Sequence, residues 1–353
     1  MIRASLLKQI ASRALSFSDQ KIEAGQRATL ERQSGVLYLS ASDGNSAIRI
    51  CRDDPGDNFE TVINIYAFAE LLNCFIADDI VYIEFDPASN KRMMLTSEDQ
   101  SYTLPVYPTL DVYNVPKPGA WIPVSAHMNS VIQRARDWPI KHVRTAQNLP
   151  LVLMFDKGVA GIISGHISFI DEVEELLEAQ MQLTQLAKVP DAITHYFLSS
   201  GHIYFNGSNE WCMVPLDSRK ALAYKTLLDV MQKTNIYGIR INVSELLGIT
   251  NKVRSMRKAE DILTPGVQQS IPTTFTISSI TANTSLGSVT GFCSSNDSFV
   301  SIECKPGDLF YHAVGHKSFL GDNDEIEIRI GPQMSFIAAQ VGTAKVLGGL
   351  YRT

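Results

Sequence analysis

The stretch SLLKQIASRALSF, residues 5–17, decides how the chain is read. It carries Arg13, is rich in Ser and holds no acid, features shared with organellar transit peptides. Its apolar residues Leu7, Ile10, Ala14 and Phe17 fall on one stripe of a helix. The same spacing returns at Met128, Val131, Ala135 and Trp138, and again at Leu246, Ile249, Val253 and Met256. Each time a Ser (Ser5, Ser125, Ser244) stands at or near the expected N-cap. A transit peptide does not recur at a domain-length interval. Residues 5–17 therefore read as the first helix of a repeated unit.

The polar faces repeat as well. At equivalent positions past the first stripe residue stand Arg13, Arg134 and Lys252, and Arg136 and Arg254 follow two residues on in the later copies. One helix with Lys and Arg is an ordinary solvated face. Three in register suggest a shared use. A second block also recurs. Residues 80–106, 193–216 and 326–350 each alternate short apolar runs with Pro, Gly, Asn or Ser, the pattern of a three-strand meander. An apolar, helix-like stretch that ends in acids precedes each one, at 65–79, 173–191 and 309–324. The reading is α+β, with three tandem units whose helices lie on one face of antiparallel sheets. The units span residues 1–117, 118–236 and 237–353.

Of the 353 residues, 45% are hydrophobic and 19% charged, and the net charge is −6. Free-standing nucleic-acid binders are usually basic, so any DNA-facing charge here must be segregated onto one surface. No apolar run reaches the roughly 18 residues of a membrane span, and no secretory signal is evident. Five cysteines without CxxC spacing read as reduced thiols in a cytoplasmic protein.

Enzymatic signatures are weak. His312 and His316 are spaced i, i+4, which can place two imidazoles on one helical face. Ala313 stands where a zincin has its Glu, and the sequence suggests no third ligand. Gly315-His316-Lys317-Ser318 has the ending of a phosphate-binding loop without its earlier glycine, and no GxSxG elbow is present. The expectation is a protein that is not an enzyme and needs no cofactor or metal.

Ser101-Tyr102-Thr103-Leu104-Pro105 with Tyr107-Pro108, Ile163-Ser164-Gly165-His166-Ile167, and Leu216-Asp217-Ser218-Arg219 leading to Tyr224 occur in the order found in the bacterial DNA polymerase sliding clamp. The chain resembles that family, the DNA polymerase III beta subunit, over its whole length. Its divergence suggests a phage-encoded or distant member. The resemblance implies a head-to-tail homodimer ring whose helices face duplex DNA in the bacterial or infected-host cytoplasm. It implies a DNA replication role as a processivity factor, a polymerase accessory that encircles DNA without reading sequence. The bases expected to face DNA are Lys8, Arg13, Arg134, Arg136, Lys141, Arg144, Lys252, Arg254, Arg257 and Lys258. A pocket for short peptides from the polymerase and the clamp loader is implied at Leu151, Gly165, His166, Ile167, Leu227, Val346, Leu347 and Tyr351. The chain's end, Gly348-Gly349-Leu350-Tyr351-Arg352-Thr353, departs from the family's usual Met-Pro-Met-Arg-Leu-like tail. The competing reading is a repeat-built, β-rich structural or virion protein without DNA encirclement. That reading explains the strands and leaves the registered bases unexplained.

Overall fold

The computed structural model describes all residues except 86–90, 110–111, 116, 139–150, 164–166, 219–223, 266–269 and 351–353. The chain forms two compact units. One comprises Met1–Val124 with Lys188–Leu216, the other Ser125–Ala187 with Asp217–Thr353. The residues read as a middle repeat are thus shared between both units.

The first unit is built on one twelve-stranded antiparallel sheet. Its strands are β1 (Ile2–Arg3), β2 (Arg27–Gln33), β3 (Val36–Ser42), β4 (Ala47–Asp53), β5 (Phe59–Asn64), β6 (Ile80–Phe85), β7 (Arg92–Thr96), β8 (Ser101–Tyr107) and β9 (Ile122–Pro123). The later segment adds β14 (His195–Ser199), β15 (His202–Asn206) and β16 (Glu210–Pro215). The order is β1-β6-β7-β8-β5-β2-β3-β4-β16-β15-β14-β9.

The second unit holds an eight-stranded and a four-stranded sheet. The larger contains β10 (Val152–Asp156), β11 (Val159–Ile163), β12 (Ile167–Glu172), β13 (Glu178–Gln182), β17 (Tyr237–Asn242), β22 (Glu325–Ile330), β23 (Phe336–Val341) and β24 (Ala344–Gly349). Its order is β13-β10-β11-β12-β24-β23-β22-β17. The smaller runs β20-β19-β18-β21, from β18 (Thr273–Phe275), β19 (Ser279–Thr284), β20 (Gly287–Phe292) and β21 (Ile302–Cys304).

The three meanders form where the alternation predicts them, as β6–β8, β14–β16 and β22–β24. Two equivalent junctions make the sheets continuous. β4 pairs antiparallel with β16, Ile48 opposite Cys212, and β12 pairs antiparallel with β24, Phe169 opposite Val346. These pairings explain why the compact units cut across the sequence repeat.

The three stripe helices are α1 (Ala4–Leu15), α3 (Ala126–Arg136) and α5 (Val243–Leu263). Every stripe residue named above is buried except the half-buried Met256. Complete burial of a Leu, Ile or Phe contributes about 1.5–3 kcal/mol, so these faces hold the helices on the sheets. Ser125 caps α3 by accepting the Met128 N–H at 3.0 Å. Ser5 and Ser244 lie inside their helices, behind caps at Arg3 and Asn242. The Asn242 side chain accepts the Ser244 N–H at 2.9 Å. The stretch 65–79 yields α2 (Ile65–Leu72), capped by Asn64. The stretch 309–324 yields α6 (Asp308–Val314) and α7 (Lys317–Leu320).

The helix expected over 173–191 does not form. Glu178–Gln182 becomes β13, followed by a 3-10 turn over Leu183–Lys188. The five-residue ladder to β10 satisfies the backbone, and alternation across a strand buries Met181 and Leu183. One further helix, α4 (Tyr224–Thr234), belongs to the second unit. Among the described residues no helix is long and apolar enough to cross a membrane.

Candidate nucleic-acid face and partner groove

The bases expected to face DNA separate into two groups. Some are committed inside the protein. Arg13 on α1 pairs with Glu210 at 2.7 Å and donates to the Lys188 carbonyl at 2.7 Å. Lys8 donates to the Phe75 carbonyl at 2.7 Å. Arg134 on α3 bonds Asp171 at 3.0 Å, and that carboxylate has no exposed side-chain surface. Thr343 donates to the other Asp171 oxygen at 2.6 Å, and His127 Nε2 lies 3.4 Å from it. Arg136 bonds Gln133 at 3.2 Å. Arg257 is buried on α5 against Glu260, with Asp261 at 3.5 Å. Lys141 and Arg144 lie outside the described residues.

The second group is available to a ligand. Lys252, Arg254 and Lys258 are exposed on α5. Arg254 and Lys258 are four apart and share one helix face. They border an open cleft of about 610 Å³ between α5 and α6, with Asn251, Ser255, Asp308 and His312. Burial pushes the Asp308 carboxyl upward. Burial also lowers the His316 pKa from 6.5, and His312 and Arg254 add to that effect while Asp137 opposes it. His316 is therefore neutral at pH 7. Its Nδ1 accepts the Ser318 N–H at 3.2 Å and caps α7, while His312 lies on α6. The two histidines do not share a helical turn. No group of three metal-ligating side chains is found among the described residues.

The residues expected to form the peptide pocket also separate. Strand alternation puts Ile167, Phe169, Val346 and Gly348 on one face of the β12–β24 pair. A side chain at Gly348 would meet Phe310 of α6, so this is the helix-packed face. Ile167 and Val346 are buried there, and Leu151, just before β10, is buried with Leu153 and Phe155. These are core positions.

The opposite face carries Ile170, Ala338 and Leu347, over which α4 lays Met231, with Leu227 and Leu228 packed against them. Met154, Val159 and Phe336 border this cluster and stay partly open to solvent. Leu227 and Leu347 alone among the expected pocket residues meet here. Gly165, His166 and Tyr351 lie outside the described residues. The sequence reading missed Ile170, Met231 and Ala338. The signal for Ile170 and Ala338 was the alternation of β12 and β23, and Met231 stands four residues after Leu227 on α4.

No family model matches the sequence, and no curated protein matches it significantly. Solved structures do match. The Helicobacter pylori beta clamp bound to a DNA ligase peptide superposes with a TM-score of 0.79 at 12% identity, covering 99% of both chains. The DNA polymerase III subunit beta from Pseudomonas aeruginosa superposes with a TM-score of 0.74 at 11% identity, covering 100% of this chain and 99% of that one. The DNA polymerase sliding clamp from Pseudomonas aeruginosa with ligand gives 0.76 at 10% identity over the same shares. This chain has the fold of the bacterial sliding clamp. The clamp fold is covered from end to end, so the recurrent helices and meanders are parts of one architecture. At this identity the similarity establishes the fold and leaves function to the site residues.

Proposed function

We propose that the protein is a DNA sliding clamp, a non-catalytic processivity factor that encircles duplex DNA in the cytoplasm and tethers a polymerase. The observation that carries this reading is the end-to-end clamp fold, and the exposed α5 bases support it. A clamp must hold DNA by topology and still slide. Each phosphate neutralised adds close to one unit to the salt slope of binding, so strong contacts would act as a brake. Three exposed bases on flexible stems provide weak, sequence-independent attraction. The remaining acidic charge keeps DNA off other surfaces.

The strand order supports ring closure. β4 pairs with β16 and β12 pairs with β24, each time an edge strand with the last strand of a meander. β20 and β8 are the remaining strands of those two kinds. β20 is a sheet edge, and the first half of β8 has β7 on one side only. β20 of one copy would pair with β8 of the next, and two chains joined in this way would form a head-to-tail homodimer ring of six repeats. The three repeats are 1–117, 118–236 and 237–353. Short peptides of a polymerase or loader would dock at Leu227 and Leu347 on the outer face, where an apolar anchor gains most.

Retention on DNA tests encirclement. The protein, opened and closed on a nicked circular duplex, is expected to stay bound through gel filtration at high salt and to be lost once the circle is cut. Equal loss from circles and linear duplex would refute the reading.

A further inference from the structure

We propose that the outer face of the β4–β16 junction is a docking groove for Pro-rich peptide segments, and that the chain's own linker, Val112–Trp121, holds it closed. A row of side chains crosses four strands there. Ala47 on β4 lies opposite Met213 on β16, Met213 opposite Tyr204 on β15, and Tyr204 opposite Phe197 on β14. Residues opposite one another share a face, and Trp211, two residues before Met213, adds a third aromatic ring to it. The Phe197 and Tyr204 rings are 5.5 Å apart, and those of Tyr204 and Trp211 5.9 Å.

The β12–β24 junction carries the same row, with Ser168 opposite Leu347 and Leu347 opposite Ala338. There the helix α4 packs on it. At the β4–β16 junction an irregular segment takes that place. Tyr113 lies on the β3–β4 turn, where a side chain at Gly44 would meet its ring at 3.2 Å. Val115 and Trp121 pack against the cluster of Ala47, Tyr204 and Met213. Gly119 approaches Phe197 so closely that an added Cβ would stand 2.7 Å from the ring. No described residue from Val112 to Ala120 makes a hydrogen bond. The segment is therefore seated by packing alone, as a docked peptide can be.

The linker's sequence suits that seat. Proline fixes its own φ and steers the residue before it to extended backbone, so Val115-Pro116-Lys117-Pro118 is preset as extended chain. The row from Ala47 to Phe197 crosses three strand spacings, roughly 14 Å. Extended Pro-rich chain rises about 3.1 Å per residue, so the steps from Val115 to Gly119 cover about 12 Å. Aromatic-lined grooves recognise such segments because a stiff chain loses little entropy on docking. A partner segment of the same chemistry would have to displace the linker, whose tethering at both ends gives it a high effective concentration.

The test supplies the linker in trans, as a fluorescein-labelled peptide, Tyr-Asn-Val-Pro-Lys-Pro-Gly-Ala-Trp. Two variants of the full chain lift the resident segment and leave the row intact. Gly119→Ile sets a branched side chain against Phe197, and Trp121→Gly removes the largest anchor. Gly119 is exposed and Trp121 partly buried, so both variants are expected to keep the parent's far-ultraviolet spectrum. Fluorescence anisotropy is expected to show saturable binding to each variant, with a Kd on the order of 100 μM, and about 10-fold weaker binding to the parent. Replacing both peptide prolines by Ala is expected to weaken binding about 5-fold, because the free peptide loses its stiffness. Fluorine NMR of Gly119→Ile carrying fluorotryptophan locates the peptide. The Trp211 resonance is expected to move, while that of Trp138, buried beside Phe169, stays in place. Absence of binding to both variants overturns the proposal, as does equal binding to variants and parent. Movement of Trp138 in place of Trp211 would put the peptide elsewhere and equally overturn it.

Discussion

Arg134 is about a quarter exposed, but the carboxylate that it holds is completely enclosed. Removing one partner of a buried ion pair typically costs roughly 3–5 kcal/mol, because the other charge is left uncompensated. Thr343 and His127 still face Asp171, and Arg134 is partly solvated, so Arg134→Ala is expected to cost less, about 2 kcal/mol. A urea titration followed by circular dichroism checks this. A midpoint equal to the parent's would mean that Asp171 does not depend on Arg134.

Glu260 gives the pH counterpart. Burial alone would raise its pKa, but hydrogen bonds from Ser285 and Arg257 prevail and hold it below 4.5. A depressed native pKa favours the charged native state. Its contribution is complete above 4.5 and is lost as pH falls through the lower native value. Stability is expected to drop from about pH 5 to pH 3, and Glu260→Gln is expected to remove part of that slope. Identical slopes in parent and variant would show that Glu260 stays charged without stabilising the fold.

These roles were poorly legible in the sequence. The acids that capture Arg13 and Arg134 lie far along the chain, at Glu210 and Asp171, and no spacing rule links them. The Arg257–Glu260 pair, by contrast, has a local signal, at i, i+3.

Among the elements, α5 combines both duties. One face buries Leu246, Ile249 and Val253, and the other exposes Lys252, Arg254 and Lys258. Reversing Lys252 and Lys258 together to Glu removes no packing, so stability is expected to stay within about 0.5 kcal/mol of the parent. If these ammonium groups meet phosphates, the slope of log affinity for duplex DNA against log salt should flatten by about 2. Binding titrations over a range of NaCl concentrations check it, and an unchanged slope would remove α5 from the DNA-facing surface.

Elements were the most legible level, because helices and meanders encode local periodicity. The stripe at 5–17 and the alternation at 326–350 both fold as the pattern indicates. Residues 173–191 show the limit. Their apolar spacing suits a helix, but a partner strand more than twenty residues upstream, β10, captures Glu178–Gln182. Pairing over that distance leaves no local mark in the sequence.

For the whole molecule, the open edges bear on assembly. β20 carries Phe292, 75% exposed, and α5 ends in Ile262 and Leu263, 73% and 67% exposed. Glu260 bonds Ser285 in the β19–β20 turn, so the end of α5 adjoins that edge. Exposed apolar side chains on and near an unpaired strand suit an interaction surface, to which the strand adds main-chain bonds. The edge on β8 that is proposed to receive it has a matching limit. Pro105 cannot donate a bond, and in the aligned β16 the equivalent Pro215 lies beyond the Glu210–Met213 stretch that pairs with β4. Pairing should accordingly use Ser101–Thr103 and stop before Pro105.

Phe292→Asp places a charge in that joint and touches no described core residue. The parent is expected to show twice its 39.0 kDa chain mass by light scattering, and the variant the mass of one chain with an unchanged far-ultraviolet spectrum. A variant that keeps the double mass would move the joint away from β20. A parent that is itself monomeric at micromolar concentration would leave both edges open and require another factor to close them.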